Sequence, residues 1–184
     1  MLPPGHIAAG YLTTYALLKL THPLLSFEQS QLLLSLGAFF AFAPDLDTFM
    51  AFAKAKSFVL IGSKYSHRKF FSHAPLVWLM FGVTIILLTK STFGTYLGLT
   101  VWLGSWSHFV LDSLQHGIMW LWPFNRKLFA LKDREFSIKE LVKKTSFFGY
   151  WTAFLKLYAT ELKFSFYLEV LIIISALIVL IIKA

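Results

Sequence analysis

Five long runs of apolar residues constrain this sequence more than any other feature. They are residues 7–20, 32–52, 75–89, 95–115 and 166–182. A helix needs about 20 mostly apolar residues to cross the hydrocarbon of a bilayer, so the two shortest runs would have to tilt or recruit interfacial residues. Only 14% of the residues are charged, whereas a soluble domain has about a quarter. The sequence therefore predicts an all-α, polytopic membrane helical bundle of about five segments, with residues 1–184 forming a single membrane domain.

The basic residues predict how this bundle is oriented. Of the 17 Lys and Arg residues, five lie between residues 52 and 73 and nine between residues 116 and 165. Because successive segments alternate in direction, both stretches fall on one side, which the positive-inside rule makes cytoplasmic. We therefore expect a multi-pass inner-membrane protein with a cytoplasmic N-terminus and its C-terminus on the opposite side. The net charge of +8 then indicates loops beside anionic lipid, and no nucleic-acid partner is expected.

The chain is expected to divide into three stretches: a core at 1–124, a basic cytoplasmic or interfacial segment at 125–165, and a C-terminal transmembrane helix at 166–184. Within the basic segment, aromatic residues recur at helical spacing between flanking lysines. This pattern predicts an amphipathic helix lying in the membrane interface, with aromatic rings toward lipid and lysines toward headgroups. A helix packed on the bundle is an equal alternative. The residues are Phe147, Tyr150, Trp151, Phe154 and Tyr158, flanked by Lys143, Lys144 and Lys156.

Two acidic motifs lie within the apolar runs. Asp45 and Asp47 follow Pro44, and each carboxylate in a membrane segment costs about 2.5–3.5 kcal/mol, so both need partners. Pro44 breaks the helix and helps both carboxylates to face one point; an alternative is a boundary pair neutralised by a nearby Lys or Arg. His108 and Asp112 lie one helical turn apart and can hold one metal ion between them, or simply hydrogen-bond to each other.

The remaining histidines lie at the ends of segments. His73 precedes Pro75, which is favoured in the first turn of a helix, so His73 is expected at a helix start as a metal ligand. We expect His67 and Arg68 to lie nearer the substrate, with His67 as an acid or base, a ligand or a solvated loop residue. His6 precedes the first segment.

The predicted orientation rests on Lys and Arg alone, yet it places nearly all these polar residues at the cytoplasmic ends of their segments; only His22 falls on the other side. The chain has no Cys, so a tightly bound metal must use His and carboxylate, which suits one or two zinc or other divalent ions. Such ions activate water for hydrolysis. The residues expected at this single site are His6, Asp45, Asp47, His67, His73, His108, Asp112 and His116.

With these motifs in their order, the sequence resembles the YdjM-like family of membrane-bound, metal-dependent hydrolases, also described as LexA-binding. The matching features span residues 1–124: His6, PDLD at 44–47, HRxxxSH at 67–73, SHxxxD at 107–112, and Gly117 with LWPF at 121–124. That family is distantly similar to zinc-dependent phospholipases C. The resemblance implies that Asp45 or Asp47, with His73, His108 and Asp112, binds one metal, and that His6 with Asp112 binds a second.

Three functions follow as hypotheses. The first is a metal-dependent hydrolase acting on a phosphoester or ester of a membrane lipid at the cytoplasmic face, with His67 and Arg68 as catalytic residues. The second is a divalent-metal transporter that uses the same ligands for transit. The third is a non-enzymatic scaffold that binds a cytoplasmic partner through its basic segment. The favoured expectation is the hydrolase, with membrane lipid as partner and substrate.

Overall fold

The structure, a computed structural model, describes residues 1–56, 67–115, 117–131 and 146–183, apart from the side chains of Ala55, His67 and Lys183. These residues are almost entirely helical, and their one β-like feature is an isolated antiparallel bridge between Ile118 and Phe129. The described helices are α1 (Pro3–Thr21), α2 (Phe27–Phe42), α3 (Asp47–Ala55), α4 (Pro75–Thr89), α5 (Thr92–Asp112), α6 (Phe147–Glu161) and α7 (Lys163–Lys183).

Every predicted apolar segment forms a helix, and the all-α fold is confirmed for the described residues. The second segment is divided into α2 and α3 by a 3-10 turn at Ala43–Leu46, because Pro44 cannot donate a backbone hydrogen bond. Within the described residues, Phe27–Lys54 and Lys163–Ile182 are long and apolar enough to cross a membrane, while Pro75–Thr89 is apolar but shorter. The count of five spans stays a prediction.

The helix starts follow local sequence signals. Ser26 caps α2 by accepting a hydrogen bond from the Gln29 backbone, and the Gln29 side chain accepts one from the Ser26 backbone in return. This reciprocal pair is the capping box. The Ser91 side chain caps α5 by accepting a hydrogen bond from the Gly94 backbone N–H. Pro75 is the first residue of α4, as its position after His73 predicted.

Two glycine contacts bring the helices of the core together. A Cβ on Gly10 of α1 would lie 2.2 Å from the Gly37 carbonyl of α2, and a Cβ on Gly98 of α5 would lie 2.4 Å from the Gly82 carbonyl of α4. Any larger side chain at these points would force the helix axes apart. Both α1 and α2 pack on α5, and this joins the α1–α2 pair to the α4–α5 pair. α1 also packs on α7.

The predicted aromatic helix is α6, which begins at Phe147, while Lys143 and Lys144 lie outside the described residues. Its aromatic rings stack along one side, with Tyr150, Phe154 and Tyr158 lying nearly parallel. Tyr150 and Tyr158 are buried, whereas Phe148 is 81% exposed. The helix therefore packs one side on the protein and leaves an apolar side uncovered, which combines features of both alternatives.

The direction of the helices brings their polar ends together. α1, α4 and α7 begin at the end of the bundle where α2 and α5 finish. Contacts at this end link the first turn of α1 to the last turn of α5 and to α7. The turn before α4 contacts the start of α3.

Candidate metal centre

Buried His and Asp side chains converge at this end of the bundle. His6, His73 and His108 have no exposed surface, and Asp112 is 1% exposed. Buried polar groups of this kind need partners because they have lost their contacts with water. Two sets, His6–His108–Asp112 and Asp45–His73–His108, each place one ligand atom per residue within 4.8 Å of the others.

The distances between these atoms fit a shared metal ion better than direct hydrogen bonds. His6 Nε2 lies 3.3 Å from Asp112 Oδ1, and His73 Nε2 lies 3.5 Å from Asp45 Oδ1. His108 Nε2 lies 3.7 Å from Asp45 Oδ1 and 3.9 Å from Asp112 Oδ2. Two ligands bound to one tetrahedral zinc at about 2.1 Å are about 3.4 Å apart. Small side-chain movements would therefore bring either set into coordination.

His108 belongs to both sets, and its hydrogen bond defines which nitrogen it can offer. Its Nδ1 lies 2.9 Å from the Ala41 carbonyl oxygen, which can only accept, so the Nδ1–H must donate. Nε2 then carries the lone pair, and among the described residues it has no hydrogen-bond partner. His108 Nε2 lies 3.9 Å from Asp112 Oδ2, too far for a hydrogen bond. The alternative that these two residues simply hydrogen-bond to each other is therefore wrong.

His73 is held between the two carboxylates of the PDLD motif, which meet opposite nitrogens of its ring. Nδ1 lies 2.9 Å from Asp47 Oδ2, and the Ser72 hydroxyl donates to the same oxygen. Burial alone would lower the pKa of His73, but the neighbouring carboxylates of Asp45 and Asp47 raise that pKa to about 8. His73 Nε2 faces Asp45, and Nδ1, on the opposite side of the ring, faces Asp47.

Asp47 was predicted among the ligands, but the structure places it in neither set. Its position is that of the carboxylate that accepts a hydrogen bond from a metal-bound histidine and fixes the ring orientation. The 3-10 turn after Pro44 separates the two roles, because it directs Asp45 to one nitrogen of His73 and Asp47 to the other.

His6 lies in the first turn of α1 and contacts His108 by ring stacking. The ring centroids are 3.9 Å apart, with 28° between the planes. Among the described residues, neither ring nitrogen of His6 makes a hydrogen bond. The position of His6 therefore depends on the backbone of α1 and on this stacking contact.

Asp112 contacts two cationic groups. Its Oδ2 accepts hydrogen bonds from Arg68 Nε at 3.1 Å and Nη2 at 3.0 Å, and its Oδ1 lies 3.0 Å from the Met1 ammonium. Arg68 was expected near the substrate; the structure places its guanidinium against a candidate ligand, and its contact with a substrate stays a prediction. Lys54 and Arg68 are the two cations by which the PDLD pair could have been neutralised at the membrane boundary; the described contacts place Arg68 on Asp112 and Lys54 over the Phe70 ring.

Comparison with known families completes this picture. A family model described as YdjM inner membrane protein matches residues 1–184. The chain belongs to the YdjM inner membrane protein family. No curated protein and no solved structure matched it. The resemblance inferred from residues 1–124 is therefore confirmed and extends to the remainder of the chain.

In this YdjM-family chain, a residue beyond position 124 also contacts the first turn of α1, which carries His6. Glu169 of α7 is 3% exposed, and its carboxylate accepts hydrogen bonds from the backbone of α1 and from the Tyr158 hydroxyl. The available signal was a single carboxylate within an otherwise apolar helix, which needs a partner inside the protein.

The two remaining candidates lie outside what can be described. His116 lies outside the described residues, and so does the side chain of His67, although its backbone forms a 3-10 turn with Arg68. Within the described residues, the centre thus offers three imidazoles and two carboxylates as ligands. Nitrogen and oxygen donors of these types can hold a divalent metal ion.

Proposed function

We propose that this protein is a membrane-embedded, metal-dependent hydrolase that acts on a phosphoester or ester of a lipid at the cytoplasmic face. The observation that carries the proposal is the Nε2 atom of His108. This buried atom carries a lone pair that meets no hydrogen-bond donor among the described residues. It lies 3.7 Å from Asp45 Oδ1 and 3.9 Å from Asp112 Oδ2. Leaving such an atom unsatisfied costs about 1–3 kcal/mol. A bound cation would remove that cost.

Zinc is the proposed metal because the ligands are imidazole and carboxylate and the chain has no Cys. One ion could be held by Asp45, His73 and His108, and His6 with Asp112 could hold a second. When bound, such an ion supplies Lewis-acid polarisation of a phosphoryl or carbonyl oxygen. The protein contributes by holding the imidazoles in a fixed orientation, as Ala41 does for His108 and Asp47 does for His73.

Arg68 and His67 are proposed to act on the substrate. Arg68 is 19% exposed while bonded to Asp112, so its guanidinium can lie at the edge of the centre and meet negative charge that develops on a substrate oxygen. His67 precedes it in the same 3-10 turn and is proposed as the acid or base that moves a proton to or from the leaving group.

We propose that five helices cross the membrane and that the centre lies at its cytoplasmic surface. Large apolar side chains on the outside of the bundle support this, since Leu88 of α4 and Ile181 of α7 are 78% and 75% exposed. The basic stretches fall at the end that carries the centre. A site at that depth meets lipid headgroups directly, and lipid is therefore the proposed substrate class.

The test combines metal analysis with a substrate screen on purified protein in detergent and in nanodiscs. Wild-type protein should hold one or two zinc ions and hydrolyse a phospholipid or polyprenyl phosphate, whereas His108→Ala should lose both properties. His22→Asn is the matched control: it removes an exposed His whose left-handed backbone Asn tolerates. Metal flux into sealed vesicles without hydrolysis would favour the transporter. Full metal content with neither flux nor hydrolysis would favour the scaffold.

A further inference from the structure

Glu169 is a buried acidic residue that the proposed chemistry does not use. It lies in the second turn of α7, a helix that is otherwise among the most apolar parts of the chain. A carboxylate in such a helix is costly and is retained only where it faces partners inside the protein. Glu169 is 3% exposed, and within the described part of the chain its side chain accepts three hydrogen bonds, all from outside α7.

Two of these hydrogen bonds come from the start of α1. The backbone N–H groups of Leu2 and Gly5 donate to Glu169 Oε2 and Oε1, each at 3.2 Å. The first N–H groups of a helix have no partner within the helix, and a side-chain oxygen usually satisfies them. Leu2, at the N-cap position, has no side-chain group to do so. Glu169 therefore caps α1 from another helix, and its negative charge suits the positive end of the helix dipole.

The absence of a side chain at Gly5 leaves room for this contact. A Cβ on Gly5 would lie 2.7 to 2.9 Å from the side-chain atoms of Glu169, closer than non-bonded atoms approach. The Tyr158 hydroxyl of α6 donates to Glu169 Oε2 from the other side. Glycine at position 5 and tyrosine at position 158 together fix the carboxylate against the first turn of α1.

That turn carries His6, whose two ring nitrogens make no hydrogen bond among the described residues. Its imidazole is positioned by the backbone on one side and by the His108 ring, 3.9 Å away, on the other. Whatever fixes the first turn of α1 therefore fixes His6 Nε2 relative to Asp112.

We propose that Glu169 is the positioning residue for His6, and that it ties the C-terminal hairpin α6–α7 to the metal centre. The inference rests on the proposed metal site but not on the hydrolase activity. It predicts that changes at Glu169 act on metal binding mainly through His6.

The test is a double-mutant cycle on zinc affinity, measured by chelator competition with the full-length protein in detergent. Glu169→Ala should weaken binding about 10- to 100-fold, as expected for loss of an outer-shell support, and Glu169→Gln should weaken it less because its amide oxygen can still accept one N–H. In a His6→Ala background, Glu169→Ala should add almost nothing, since the ligand that it positions is already gone. Glu161→Gln, an exposed carboxylate in the same hairpin, is the matched control and should bind zinc like wild type.

Gly5→Ala gives an independent check with opposite expectations. Alanine is a better helix former than glycine, so a role confined to helix stability predicts unchanged or tighter zinc binding. Displacement of Glu169 by the new methyl group predicts weaker binding. The Co²⁺-substituted protein should change its visible spectrum in Gly5→Ala and Glu169→Ala alike.

The outcomes separate the two proposals. If wild type binds no zinc, the metal site and this inference both fall. If wild type binds zinc but Glu169→Ala and His6→Ala weaken binding additively, or Gly5→Ala binds normally, the positioning role alone is overturned. Zinc binding with the predicted non-additivity and no hydrolysis would uphold the positioning role while removing the hydrolase.

Discussion

Asp47→Asn removes the charge behind His73 while keeping the size of the side chain. In the structure, Asp47 Oδ2 lies 2.9 Å from His73 Nδ1 and also accepts a hydrogen bond from the Ser72 hydroxyl. Asp47 therefore sets both the orientation of the imidazole and the nitrogen that carries its proton. Changes to such outer-shell partners typically lower metal affinity 10- to 100-fold. The Asn carbonyl oxygen can still accept the Nδ1–H, so we expect a loss near the lower bound, about 10-fold.

The assay is competition for zinc against a chelator of known affinity, with Asp45→Asn and His108→Ala measured alongside. Asp45 and His108 belong to the candidate ligand sets, so both of these variants should lose far more affinity than Asp47→Asn. Equal and near-complete loss in all three would show that Asp47 is itself a ligand, as its spacing in the PDLD motif first suggested, and would refute the outer-shell role.

The pH dependence of the same measurement gives a second readout. The two carboxylates raise the pKa of His73 to about 8, so below pH 8 the metal must displace a proton from that imidazole. Zinc affinity should therefore fall as the pH is lowered below 8, by up to about tenfold per unit from this one proton. In Asp47→Asn one of the groups that raises the pKa is gone, so the fall should begin at a lower pH. An identical pH profile in the variant would contradict the assigned role.

Three further predictions test other parts of the structure. Reporters fused after Lys69 or Lys132 should be cytoplasmic and one fused after Ala184 should lie on the opposite side; a cytoplasmic signal at Ala184 would disprove the five-span topology. Arg68→Ala should retain most of the metal yet lower turnover about 10²–10³-fold, measured by metal analysis and kinetics on one preparation, and complete metal loss would show that its bonds to Asp112 hold the ligand in place. Gly10→Ala should lower the free energy of unfolding by about 1–3 kcal/mol, because its methyl group would overlap the Gly37 carbonyl; thermal unfolding in detergent measures this, and unchanged stability would contradict the tight α1–α2 crossing.

Much of the fold could be predicted because its signals are local. Runs of apolar residues specify helices, and Pro44 and Pro75 mark a break and a start at the positions where the structure has them. The grouping of His and Asp at one end of the bundle also followed from sequence, since alternating segments bring the starts of odd-numbered segments to the same side as the ends of even-numbered ones. The contacts between particular helices carry no such signal and needed the structure.

Roles within the centre were harder to predict because they depend on which atom faces which. Spacing placed Asp45 and Asp47 near one point, but not on opposite nitrogens of the same imidazole. It gave Arg68 a position near the centre, but not its two hydrogen bonds to Asp112. Glu169 was missed for a related reason: a side chain that caps a helix more than 160 residues earlier in the chain leaves no spacing pattern to find.

Among the described residues, the number of metal ions that can share His108 follows from one hydrogen bond rather than from the number of candidate ligands. His108 is common to both ligand sets, and its Nδ1–H is committed to the Ala41 carbonyl oxygen. Only Nε2 remains, and its single lone pair binds a single ion. The two sets therefore compete for His108. If two ions bind, one of them must be held without this residue. Among the described residues it would have only His6 and Asp112, or Asp45 and His73, and a two-ligand site of that kind is the weaker. Zinc titration should then show one tight site, followed at most by one that is much weaker.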